Sequence, residues 1–187
     1  MPLPVFIDAL SRRAVRNVAA AGALLAMTAA SAWAQSAATP EYALKAAFIY
    51  NFARFTNWGE RPDKSLNLCV LGRDPFGSAL DTIDNKDVGQ LHIAVKRFRD
   101  MDKAFRSCQI VFIADSEMDN FLLQPERVRL ASGVMTIADQ EGAARRGVIV
   151  ELTTGDQRVG FEFNQESAGQ AKVEVSSKLL RLARKVY

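Results

Sequence analysis

Between residues 41 and 58 the chain reads EYALKAAFIYNFARFTNW, and its apolar positions fall on nearly every side of a helical projection. Tyr42, Leu44, Phe48, Ile49, Tyr50, Phe52, Phe55 and Trp58 carry the pattern, and Lys45, Asn51 and Arg54 interrupt it. A helix that is apolar all round belongs in a core or a membrane. The three polar interruptions leave it short of the roughly 18 uninterrupted apolar residues of a membrane crossing. The expectation is a buried N-terminal helix, wrapped by the sheet that follows.

Downstream the period shortens. Residues 66–71 become continuously apolar, 91–98 alternate with Leu91, Ile93, Val95 and Phe98 largely on one side, and 110–113 form an unbroken apolar run. The first and third suit strands covered on both faces, the second a half-buried strand. Helical pieces are expected to 83, over 100–106 and from 115, the last ended or restarted by Pro125. A strand over 133–138 precedes a weakly helical 139–144. Strands over 147–152 and 159–163 are then joined by a hairpin turn at 154–157. Asn164 can cap a short helix, 172–175 reads as a brief strand, and Ser176 or Ser177 can cap a closing helix carrying Leu179, Leu180, Leu182, Ala183 and Val186. Strands alternating with helices and then a hairpin imply a single-domain α/β sandwich. Its sheet is mixed and mostly parallel, in the flavodoxin or Rossmann style, and ends in an antiparallel hairpin.

Residues 1–34 are of another kind. Arg12, Arg13 and Arg16 precede an apolar run from 18 to 30, and Ala32, Trp33 and Ala34 then form an A-x-A site. This is the pattern of a secretory signal peptide cleaved near Ala34, with a faint twin-arginine flavour in Ser11-Arg12-Arg13 that leaves the export route open. No cysteine follows the site to take a lipid. The remaining 35–187 is expected to be one domain outside the cytoplasm, with no membrane span. Losing the leader takes Lys plus Arg from 24 to 21 and Asp plus Glu from 21 to 20, so the formal charge drops from +3 to +1. Without a Lys/Arg tract the chain has no electrostatic footprint for nucleic acid.

Candidate chemistry is sparse. Cys69 and Cys108 are the only cysteines, and in an oxidising compartment two core strands in 2-1-3 order would let them pair; the alternative is two buried thiols acting as small hydrophobes. His92 is the sole histidine, on the wetter side of its strand, so neither a metal site nor a histidine-based triad is expected. Gly72 and Gly77 bracket a strand-to-helix turn that lacks the Lys-Ser/Thr of a P-loop, and they read as a tight turn with Phe76 as a core plug. Asp115, Ser116 and Glu117 follow a strand end, where α/β ligand sites gather, yet a helix cap explains them as well. No convincing enzyme and no cofactor emerge. On the hairpin, Arg158, Gly160 and Glu162 lie opposite Val159, Phe161 and Phe163. Arg158 and Glu162 are the positions expected to touch a partner, beside an edge open to strand addition. The closing helix carries Lys178, Arg181, Arg184 and Lys185 opposite its apolar stripe, where they complement the helix dipole or offer a docking surface for an acidic partner.

The run Tyr42-Ala43-Leu44-Lys45-Ala46-Ala47-Phe48-Ile49-Tyr50-Asn51-Phe52-Ala53-Arg54-Phe55-Thr56-Asn57-Trp58 resembles the opening signature of the YfiR-like periplasmic proteins. Further matching stretches are Leu68-Cys69-Val70-Leu71-Gly72-Arg73-Asp74-Pro75-Phe76-Gly77, Cys108-Gln109-Ile110-Val111-Phe112-Ile113 and Ser176-Ser177-Lys178-Leu179-Leu180-Arg181-Leu182-Ala183. The resemblance implies a periplasmic regulator without catalytic activity. Such a protein represses the periplasmic sensor part of an inner-membrane diguanylate cyclase, which limits cyclic-di-GMP and biofilm, and is itself sequestered by an OmpA-like outer-membrane lipoprotein. It also implies a Cys69–Cys108 disulfide linked to envelope redox conditions. Members can carry a second cysteine pair near 143–150, absent here. Dimerisation stays open, with a homodimer as one arrangement.

Overall fold

The computed structural model describes residues 40–124, 132–155 and 158–187. The leader at 1–34, Pro125 and part of the hairpin turn lie outside the described residues.

The helix α1 (Pro40–Arg54) is followed by β1 (Thr56–Asn57), β2 (Ser65–Leu71), a 3-10 turn (Gly77–Thr82), β3 (Asp87–Val88) and β4 (Leu91–Phe98). Then come α2 (Met101–Ser107), β5 (Ile110–Ile113), α3 (Asp115–Leu122), β6 (Met135–Ala138) and a second 3-10 turn (Ala144–Arg146). The chain closes with β7 (Val150–Gly155), β8 (Arg158–Phe163), α4 (Gln165–Gln170), β9 (Glu174–Val175), α5 (Ser177–Leu180) and β10 (Lys185–Val186). Eight strands form one sheet in the order β10-β8-β7-β6-β5-β2-β4-β3, and β1 pairs with β9 in a small second sheet. From β4 to β7 every pairing is parallel, while β7–β8 and β3–β4 are antiparallel. This is the expected mixed α/β sandwich with a closing hairpin.

Side chains alternate across the sheet, so each central strand feeds two cores. Leu66, Leu68, Val70 and Phe112 join Ile49 and Phe52 of α1 on the first face; Cys69, Leu71, Val111 and Ile113 join Ala104 of α2 and Met118 and Phe121 of α3 on the second. Phe76 plugs the first core, its ring edge-on to Tyr42 and Phe112 at 5.1 and 4.7 Å. Gly72 and Gly77 both adopt positive φ, +99° and +54°, as the turn between them requires.

The chain departs from the sequence expectations in three places. Helix α1 is buried on one side only, through its own Lys45, Ala46, Ile49, Phe52 and Ala53, while Ala43, Leu44, Ala47, Asn51 and Arg54 face solvent. The closing helix stops at Leu180, and residues 185–186 add β10 to the outer edge of the hairpin, Lys185 opposite Glu162 and Val186 opposite Phe163. The hairpin edge is thus largely paired, because the main chain of β8 meets Arg184 N at Phe161 O and Tyr187 N at Phe163 O. Finally, Asp115 does not cap α3: the capping position is Ala114, with no side-chain cap. Asn164 and Ser176 do cap, accepting from Ser167 N and Lys178 N.

Candidate functional site

Strand β2 is the pivot of the sheet. From it the chain crosses on the first face to β4, then on the second face to β5 and β6, so growth reverses between β2 and β5. In open α/β sheets the crevice at the carboxyl ends of such a pair is where ligands bind. Here it is about 320 Å³, lined by Tyr42, Arg73, Asp74, Pro75, Asp115, Ser116 and Asp139. Gly72 lets the walls close: a Cβ there would lie 2.6 Å from both Ser116 Oγ and Glu117 Cγ.

The crevice side chains are mostly engaged by groups in and around its walls. Ser116 Oγ accepts from Arg73 N at 2.9 Å, Asp115 accepts from Gln140 Nε2 at 2.7 Å, and Asp74 accepts from Phe76 N at 2.7 Å and Arg97 Nε at 2.6 Å. Glu117, expected in the cap, instead accepts from Asn120 Nδ2 at 3.0 Å.

Beside it lies a buried charge cluster. Lys45 Nζ stands 2.7 Å from Asp139 Oδ2 and 2.6 Å from Glu41 Oε1, over the Tyr42 ring at 4.5 Å. Tyr42 donates to Asp139 at 2.9 Å, and Thr154 donates to Glu41 at 2.9 Å. The bonds from Lys45 and then Thr154 hold the Glu41 carboxyl below its ordinary 4.5. Burial first, then the charge of Asp139, pushes the Tyr42 phenol up from 10.0. This cluster clamps the first turn of α1 to the ends of β6 and β7.

On the other side of the cluster a second crevice of about 600 Å³ runs along β7, β8 and β10, lined by Arg145, Glu151, Thr153, Glu162, Lys185 and Tyr187 among others. Glu151 is only 3% exposed, and its two oxygens accept from Gly142 N at 3.0 Å and Ala144 N at 2.9 Å. Glu162 accepts from Tyr187 Oη at 2.7 Å, and this bond pushes the Tyr187 phenol up.

The cysteines lie deep in the second core, 0% and 2% exposed, and are joined as a disulfide with Cα atoms 6.1 Å apart, inside the usual range. The bond ties β2 to the junction of α2 and β5. His92 is half-buried on β4, opposite Ser65 and Asp87. Among the described residues no group of three or more His, Cys, Asp or Glu is placed to hold a metal ion, and no helix is long and apolar enough to cross a membrane. Arg158 and Glu162 do share a face of β8, Arg158 exposed and Glu162 half-buried at the second crevice. Sequence reasoning missed Lys45, Asp139 and Glu151, and it placed Arg184 on the closing helix, whereas the structure sets it just before β10 and against Gly160. The buried lysine in an otherwise apolar helix was the available signal for the first of these.

The YfiR/HmsC-like family profile matches residues 42–184, nearly all of the described fold. The chain belongs to this family. No curated protein matches it significantly. Among solved structures, a conserved domain protein from Vibrio cholerae O1 biovar El Tor strain N16961 aligns at 8% identity and TM-score 0.49, covering 78% of this chain and 60% of that one. The ABC domain in complex with L-Trp from Streptococcus pneumonia aligns at 5% identity and TM-score 0.50, covering 79% and 62%. The chain thus spans about three-fifths of each of those proteins, and the second likeness concerns the fold alone.

Proposed function

We propose that this chain is a periplasmic, non-enzymatic regulator that binds the periplasmic sensor part of an inner-membrane diguanylate cyclase and represses it, lowering cyclic-di-GMP signalling and biofilm. The observation that carries the reading is the family match across 42–184. The expected leader at 1–34 and the buried disulfide fit an exported chain. On this reading Arg158 and Glu162 lie in the contact with the cyclase. An OmpA-like outer-membrane lipoprotein withdraws the chain from the cyclase, and a homodimer is one form in which it waits. The bridge stiffens the central sheet whether or not its redox state is also read.

The experiment is affinity capture from envelope extract with the exported, oxidised protein, repeated with Cys69→Ser. Recovery of a membrane diguanylate cyclase by the oxidised form supports the reading; its consistent absence from a strain that expresses one defeats it.

The crevice at Gly72, Arg73, Asp115 and Ser116 favours a second reading, capture of a small ligand with no cyclase partner. A thermal-shift screen of nucleotides, phosphates and amino acids decides it: no stabilisation by any of them removes it.

A further inference from the structure

The second face of the sheet is covered unevenly. Its core takes in β2, β5, β6, α2, α3 and the 143–148 segment, and no residue of β8 or β10 belongs to it. On that uncovered part the strand register aligns Gly155 with Arg158, Thr153 with Gly160, Glu151 with Glu162, and Glu162 with Lys185. Arg158, Arg184, Lys185 and, from the rim of the crevice, Arg145 are all exposed. None of the four forms an ion pair among the described residues.

Of the five carboxylates lining that crevice, four are already paired or hydrogen-bonded, and Glu141 is exposed at its rim. Glu162 takes the Tyr187 hydroxyl, Glu151 takes two loop amides, and Asp139 takes Lys45 and Tyr42. Two of the cations are meanwhile held in place. Arg184 Nη2 donates to Arg158 O at 3.2 Å, and its guanidinium lies where a side chain at Gly160 would stand. Lys185 Nζ sits 4.4 Å from the centroid of the Tyr187 ring. A guanidinium fixed in advance loses less freedom when it meets a carboxylate, and its fork matches that group in two bonds.

We propose that this basic face, Arg145, Arg158, Arg184 and Lys185, is the docking surface for an acidic segment of the regulated partner; the proposal rests on the reading given under Proposed function and adds the chemistry of the contact. A lipid surface fits less well. Val186, the exposed apolar residue of β10, alternates away from Lys185, which leaves only the half-buried Tyr187 ring, packed against Lys185, as an apolar group beside these charges.

The test measures affinity by calorimetry between the exported, oxidised chain and the periplasmic domain of a diguanylate cyclase from the same envelope, at salt of about 0.05 and about 0.3 M. Wild type should bind more weakly at high salt. Arg158→Glu/Lys185→Glu should lose at least roughly ten-fold in affinity, with an unchanged melting temperature. Arg158→Gln/Lys185→Gln should fall between. Gly160→Val, which displaces Arg184 without altering charge, should also weaken binding. If wild type binds and both double variants bind equally well, this face is not the contact, although the regulatory reading stands. If wild type does not bind the cyclase domain at all, both fail. Binding to phosphatidylglycerol vesicles that the same substitutions abolish would overturn the proposal in favour of a membrane surface.

Discussion

Lys45 Nζ and Asp139 Oδ2 lie 2.7 Å apart, with side chains only 5% and 11% exposed. The pair joins the first helix to the end of a strand 94 residues later. Removing the more buried carboxylate of such a cluster leaves the remaining charge poorly compensated. Lys45 would keep only the partly exposed Glu41 carboxylate, 2.6 Å away, so Asp139→Ala should destabilise the fold by about 2 kcal/mol, with Lys45→Met/Asp139→Leu recovering most of the loss. Urea denaturation of the three proteins checks it. Equal stability of wild type and Asp139→Ala would show that the clamp does not hold α1.

The same cluster sets a pH dependence with two opposite limbs. Glu41 has a lowered folded pKa, so its contribution is present above its ordinary 4.5 and lost as pH falls through the folded value. Tyr42 has a raised folded pKa, so its contribution is full below 10.0 and lost as pH rises beyond it. The melting temperature of Glu41→Gln should converge on that of wild type at acid pH, and Tyr42→Phe should lack the alkaline decline. Parallel profiles across the whole range would contradict both.

Much of this fold is legible in the sequence where a strand is covered on both faces. Residues 66–71 and 110–113 are apolar at nearly every position, and they are neighbouring interior strands, each paired on both sides. The errors fall where a distant partner decides the outcome. Lys45 reads as an interruption in an apolar helix because Asp139 is invisible to any local pattern. The open side of α1 was hidden by Ala43, Leu44 and Ala47, which suit either side. The final residues repeat at helical spacing, yet the unsatisfied edge of β8 draws Lys185 and Val186 into a strand. Arg158 and Glu162 were legible as one face by alternation. Arg184 was not, because its position depends on the missing Cβ of Gly160.

The Cys69–Cys108 bridge closes 39 residues of sequence, for which the chain-entropy account gives about 4 kcal/mol. Cys69→Ser/Cys108→Ser should lower the denaturation midpoint accordingly. Because both sulfurs are buried, reductant should act on the native protein only as fast as it opens. Rapid reduction of the folded chain, followed by thiol titration, would contradict that burial.

Glu151 should be the most sensitive carboxylate near the second crevice. Its two amide bonds fasten the 142–144 loop, so Glu151→Ala should cost about 2–3 kcal/mol, and Glu151→Gln, which keeps one acceptor, noticeably less. Amide hydrogen exchange at Gly142 and Ala144 reports the release directly. Unchanged protection in Glu151→Ala would show that the loop is held by other means.

Gly72 should resist substitution for two reasons acting together. Its φ of +99° is unfavourable for other residues, and an added Cβ meets Ser116 and Glu117. Gly72→Ala should destabilise by at least about 2 kcal/mol, whereas Gly89→Ala, with positive φ but open space around it, should lose about half as much. Equal losses would mean that the crevice walls yield freely.

The regulatory reading is tested most directly by measuring cyclic-di-GMP in cells that lack this chain but retain the diguanylate cyclase. The level should rise and return to normal when the exported chain is restored. An unchanged level, with the cyclase present and active, would contradict the account.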